Sequence, residues 1–259
     1  MKMTKQGRAP SRFARTRYYS AAALLAGLLL AASCAFAATT AESIQALSSP
    51  DLKVAAAAEA ALLEAGDAAV PELAVAMRRG LAQAKTGRVL AKMGRKGMLK
   101  LLELCDDPKL GSDAAQVVFW IASPAFRGEI PELLACMNKP ALKHQCGRAL
   151  VKAVDEKAVK AVPLLAAKLL DQDPDIRAYA AAALGQAGPR AKAVVPALRV
   201  ALGDPSSSVR LGAAVALGKV KARDAETLAA LEKAAQDPDS EVRNFAVQAL
   251  KAGRKSRKT

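Results

Sequence analysis

The sequence predicts an all-α fold, an α-solenoid of about six to seven two-helix repeats. Three observations carry this reading. Near the C-terminus Asp171, Asp204 and Asp237 recur every 33 residues, with Ile176, Val209 and Val242 in register behind them. Arg177, Arg210 and Arg243 keep the same step, as do Ala180, Ala213 and Ala246, and then Leu184, Leu217 and Leu250. A period of this length marks stacked supersecondary units, not a globular enzyme fold. Second, Val70-Pro71-Glu72-Leu73, Ile130-Pro131-Glu132-Leu133, Val162-Pro163-Leu164-Leu165 and Val195-Pro196-Ala197-Leu198 are variants of one motif. Third, the composition beyond the N-terminus is rich in alanine, which favours helix. Aromatics there are few (Phe119, Trp120, Phe126, Tyr179 and Phe245), and alternating strand patterns are nearly absent.

Residues 1–37 read as a signal peptide. Lys2, Lys5, Arg8, Arg12, Arg15 and Arg17 precede an apolar run, Ala21 to Ala32, and Ala35-Phe36-Ala37 offers small residues before a cut. Two alternatives stay open. Ala31-Ala32-Ser33-Cys34 loosely resembles a lipoprotein box, with Cys34 as the lipidated residue. An uncleaved anchor over Ala21–Ala38 is the other, near the lower length limit for a spanning helix. The expectation is an exported chain, periplasmic or secreted, with no integral membrane domain once the leader is removed.

Residues 38–253 form the repeat region. A capping helix is expected at Ala41–Leu47, followed by about six repeats from Pro50 to Gln236 and a final helix near Asp239–Lys251. In each repeat the first helix carries one apolar stripe, as Ile176, Ala180, Ala183 and Leu184 do at i, i+4, i+7 and i+8. Gly185 or Gly218 is expected to end it. The proline opens the second helix, where its missing N–H costs nothing. The Asp-Pro pairs at Asp204 and Asp237 cap and open the next repeat. One repeat, Thr86–Asp107, is degenerate, with Gly94 as its break and Met98 standing where proline would be.

The string Asp-Pro-x3-Val-Arg-x2-Ala-x3-Leu-Gly at Asp204–Gly218, and its near copy at Asp171–Gly185, resembles HEAT repeats. The resemblance is to the HEAT-like type also found in phycobilisome lyases. It is strong in the last three repeats and poor between Gly80 and Phe126. It implies a right-handed solenoid with a concave face lined by second helices. It also implies protein partners as the commonest use, with nucleic acid or a processed chromophore in a few members. In such proteins an inter-helix Asp and the Arg of a neighbouring repeat form a ladder. That role is carried over to Asp171, Arg177, Asp204, Arg210, Asp237 and Arg243, with Lys143 and Lys53 at the comparable place in weaker repeats.

The formal charge of +15 overstates the electrostatic footprint. The leader holds six of the basic residues and Lys251, Arg254, Lys255, Arg257 and Lys258 hold five, which leaves about +4 for the body. Residues 254–259 are a basic tail. One internal segment stands out: Arg78, Arg79, Lys85, Arg88, Lys92, Arg95, Lys96 and Lys100 run without an acid. Lys85, Arg88 and Lys92 share a helix face, pointing outward from Val89 and Met93. The segment is either a contact for an anionic envelope surface or acidic protein, or a solvated face. Should it be the latter, binding is expected on the second helices around Arg199 and Lys168. Nucleic acid is disfavoured, because no aromatics interleave with these cations and export places the chain elsewhere.

Cys136 and Cys146 read either as small core residues or as a candidate disulfide between consecutive antiparallel helices in an oxidising compartment. Cys105 makes the count odd. His144, the one histidine, lies two residues from Cys146 and on the opposite side of a helix, so the pair cannot chelate zinc. No orienting carboxylate neighbours it in sequence. No cofactor is expected, and Phe119 and Trp120 read as core filler. The sequence as a whole reads as an exported, non-enzymatic protein-interaction scaffold. The alternatives are a bilin-lyase-like enzyme or ligand-processing protein, and a binder of anionic envelope surfaces.

Overall fold

The structure is a computed structural model that describes residues 39–255. The expected leader cut and lipidation at Cys34 lie outside those residues, as do residues 256–259 of the tail. Every regular element described is helical.

Helix α1 covers residues 39–46. Six pairs follow: α2 Leu52–Ala65 with α3 Val70–Arg78, α4 Gln83–Lys92 with α5 Gly94–Leu104, and α6 Gly111–Ile121 with α7 Ile130–Met137. Then come α8 Lys143–Ala153 with α9 Val162–Lys168, α10 Pro174–Gln186 with α11 Val195–Ala201, and α12 Ser207–Val220 with α13 Ala225–Ala234. Helix α14, Ser240–Lys255, closes the stack and runs into the segment expected as tail. This is the α-solenoid the periodicity predicts.

The local chemistry is that of helix ends. Asp51, Asp173 and Asp224 cap α2, α10 and α13 by accepting from the main-chain N–H groups of Lys53, Asp175 and Thr227. Pro71, Pro131, Pro163 and Pro196 sit in the first turn of their helices, where no donor is needed. Short 3-10 segments, such as Gly66–Ala69 and Gly188–Val194, turn the chain from first helix to second. Gly66 and Gly188 both take φ +57° there, the left-handed conformation that glycine adopts without strain.

Three expectations need correction. Gly185 and Gly218 do not end helices; both lie within them. A Cβ on Gly185 would come 3.1 Å from the Ala216 Cα, and one on Gly218 would come 3.3 Å from the Ala249 Cβ. They are bare because successive first helices touch at these points. Met98 does not stand at a helix start. It is fully buried in the second turn of α5, which begins at Gly94. Asp204 and Asp237 do not cap their helices directly. They accept from the Ser206 and Asp239 N–H groups at 2.9 Å, folding the loop one step before the helix.

The core runs the length of the stack as one cluster, from Ile44 through Leu101, Leu150 and Leu184 to Leu250. The two helix layers differ in density. Helices α8, α10, α12 and α14 pack on one another along much of their length, and α6 packs on α8. The second helices α7, α9, α11 and α13 touch their successors far less. From α6 onward the first helices therefore form the close-packed layer of the stack.

Candidate binding surface

Recurring charges tie neighbouring repeats together. The Arg177 Nε and Nη2 donate to the two Asp204 carboxylate oxygens at 2.8 and 2.9 Å. Arg210 does the same to Asp237 at 2.7 and 2.8 Å. Each also uses Nη1 to hold two main-chain carbonyls of its own repeat, those of Asp171 and Gln172 for Arg177, and those of Asp204 and Pro205 for Arg210. Arg243 makes only the carbonyl bonds, to Asp237 and Pro238. Asp171 is paired with Lys168 at 2.7 Å. The Arg210 hydrogen bond holds the Asp237 carboxyl below its ordinary value. Burial pushes Asp204 up, but the Arg177 hydrogen bond and the Ser206 amide more than offset it, so it too is lowered. One repeat earlier, Lys143 reaches both Asp173 and Asp175 at 2.7 Å. Lys53 makes no ion pair among the described residues.

The basic segment is less free than its sequence implies. Arg78 pairs with Asp113 at 2.9 Å and Lys100 with Glu103 at 2.9 Å. Lys92 pairs with Glu59, and Arg95 with Glu129. The Lys85 ammonium donates to the Leu47 carbonyl at 2.6 Å, closing the end of α1. Lys85, Arg88 and Lys92 are thus not one solvated face. Arg79, Arg88 and Lys96 remain exposed with no ion pair among the described residues. The fallback surface is also compensated: Arg199 pairs with Asp224 and Glu226 at 2.7 and 2.5 Å, and Lys168 with Asp171.

Cys136 on α7 and Cys146 on α8 are joined as a disulfide, with Cα atoms 6.0 Å apart. Cys105 is free and buried, and burial pushes its thiol up to about 11. Among the described residues no group of three or more His, Cys, Asp or Glu gathers to hold a metal ion. No described helix is long and apolar enough to cross a membrane.

The close-packed layer of first helices brings together residues that sequence reasoning left apart. Phe119 and Trp120, at the end of α6, pack against the core as core filler would, but are only half-buried and so also contribute to the surface. On the next helix the Arg148 guanidinium lies 4.6 Å from the Phe119 ring centroid, and the Lys152 ammonium lies 4.8 Å from it. Lys152 also donates to the carbonyls of Phe119 at 2.7 Å and Trp120 at 3.2 Å, where the α6 dipole is negative. Burial lowers its pKa from the ordinary lysine value. On α10, Tyr179 lies against bare Gly147; a Cβ there would fall 2.3 Å from the ring. The Tyr179 hydroxyl meets His144 Nδ1 at 3.2 Å. His144 does have a carboxylate nearby after all, Asp175 of the following repeat at 4.0 Å. A signal for this cluster existed: Trp120, Lys152, Gln186 and Lys219 occupy one register position of successive first helices, as do Gln116, Arg148, Ala182 and Val215.

Stacked antiparallel helix pairs with a repeat-spaced ion ladder define a helical repeat solenoid. Residues 161–251 match the family model described as HEAT repeats, so that stretch of the chain is similar to this family. No curated protein sequence matches it. Among solved structures, an engineered protein superposes with a TM-score of 0.53 at 21% identity, covering 83% of this chain and 96% of that one. A designed armadillo repeat protein matches at a TM-score of 0.51 and 19% identity, over 82% of this chain and 98% of that one. A related design, solved in complex with the peptide (KR)4, matches at 0.50 and 19%, with the same coverage. Likeness at these identities speaks for the fold.

Proposed function

We propose that this chain is an exported, non-enzymatic scaffold that binds a protein or peptide partner on its close-packed layer of first helices. The observation that carries the reading is the layer itself. Helices α6, α8, α10, α12 and α14 present one continuous surface, held rigid by close backbone packing and the Arg–Asp ladder. Such an extended surface suits a polypeptide better than a small substrate. The match to a designed repeat protein that was solved with a peptide supports the same class of partner. Export is supported by the leader pattern and by a Cys136–Cys146 disulfide, which persists in oxidising compartments.

The test is capture on the immobilised mature chain from cell-envelope extract, followed by titration of the purified partner. Saturable binding of a protein supports the scaffold. A co-purifying species that absorbs visible light would favour the ligand-processing alternative. The anionic-surface alternative draws on Arg79, Arg88 and Lys96, and liposome co-sedimentation at two salt concentrations tests it.

A further inference from the structure

Arg148 and Lys152 are held in place without a carboxylate. Neither has one within ion-pair distance among the described residues; the Phe119 ring and the main chain of α6 hold them instead. A guanidinium lying over a ring keeps its N–H groups free for bidentate pairing with a carboxylate. Tyr179 is likewise fixed beforehand, with one face on Gly147 and its hydroxyl on His144, leaving an aromatic surface beside Arg148. The ordering of these side chains is already met in the free protein, which favours binding.

The spacing narrows the ligand. Arg148 and Lys152 are one helical turn apart, about 6 Å along the axis. Alternate side chains of an extended peptide lie about 6.5–7 Å apart on one face. We infer that the Phe119–Arg148–Lys152–Tyr179 platform binds an extended acidic peptide segment, two carboxylates separated by one residue, with an apolar side chain of that segment against Tyr179. This rests on the scaffold reading and names the chemistry of its partner. Both cations already cover Phe119, so the platform is suited to carboxylates more than to stacking nucleobases.

The test is fluorescence anisotropy with the mature chain and a labelled octapeptide carrying Glu at alternate positions. Its Gln counterpart and a single-stranded oligonucleotide serve as comparisons. Expected is saturable binding of the Glu peptide alone. Arg148→Gln with Lys152→Gln should weaken it about tenfold, whereas Arg190→Gln with Lys192→Gln, in the connector Gly188–Val194, should not. Gly147→Ala should also weaken it by displacing Tyr179, with circular dichroism verifying the fold. Equal binding of Glu and Gln peptides, tighter binding of the oligonucleotide, or an unchanged double variant overturns the inference. A captured protein partner that ignores the double variant would overturn it while leaving the scaffold standing. Failure to capture any partner would count against the scaffold, and the peptide titration would still report on the platform.

Discussion

Arg177 joins two repeats with one side chain: its Nε and Nη2 bond the Asp204 carboxylate of the following repeat, and its Nη1 bonds the Asp171 and Gln172 carbonyls of its own. The two side chains are 16% and 11% exposed, so solvent screens the pair only weakly. The link therefore fixes how far one repeat can rotate against the next, as well as contributing energy.

Arg177→Ala should destabilise the stack by roughly 2–3 kcal/mol, because it strands a largely desolvated carboxylate and frees two carbonyls. Arg243→Ala should cost less, since Arg243 makes only carbonyl bonds. Urea melts of both variants check the ranking. Equal losses would mean that the inter-repeat pair contributes little.

Acid should unfold the protein through the same carboxylates. Asp155, Asp173 and Asp237 are held below their ordinary values, chiefly by hydrogen bonds from Arg127, Lys143 and Arg210. The folded state thus favours the ionised forms. That stability is complete above the unfolded pKa near 4 and is lost as pH falls through the lower folded values. Melting temperature should be flat from neutrality to about pH 5 and fall steeply below about pH 4. Asp237→Asn should lower the neutral-pH value and flatten the acid limb.

Glycine to alanine usually stabilises a helix by nearly 1 kcal/mol. Gly212→Ala should do the reverse. Its Cβ would fall 3.0 Å from the Ala181 Cβ and 3.1 Å from the Ala178 carbonyl oxygen. Forcing α10 and α12 apart should cost roughly 1–3 kcal/mol. Leu217→Ala, which empties a fully buried site, should cost roughly 2–5 kcal/mol. A neutral Gly212→Ala in a thermal melt would show that the helices give way easily.

These glycines mark the limit of what a repeat pattern conveys. Ile176, Ala180 and Leu184 announce a helix and its buried stripe, because periodicity encodes which face is inward. The same string made Gly185 look like a helix end, because the chain alone does not say that Ala216 approaches it. The basic segment misled for a related reason. Asp113, Glu129 and Glu59, which neutralise Arg78, Arg95 and Lys92, come from other repeats, and a run of cations says nothing of acids brought in by stacking. The aromatic platform was hidden likewise. Phe119, Arg148 and Tyr179 are unremarkable alone and meet only because three first helices lie side by side.

The cysteines and the leader give a last prediction, which tests compartment and fold together. If the chain is exported, intact mass should show cleavage after Ala37, or a lipid on Cys34. Without reductant, the cleaved chain should yield one alkylatable thiol, and only after denaturation. That thiol is Cys105, which is buried and kept protonated at neutral pH. Cys136→Ser with Cys146→Ser should lower stability by about 2–3 kcal/mol, since the bridge closes a short loop between α7 and α8. The loss should vanish when wild type and variant are compared in reductant. Four alkylatable thiols after denaturation without reductant, in protein from its own type of host with an intact leader, would place the chain in a reducing compartment and remove the basis for export.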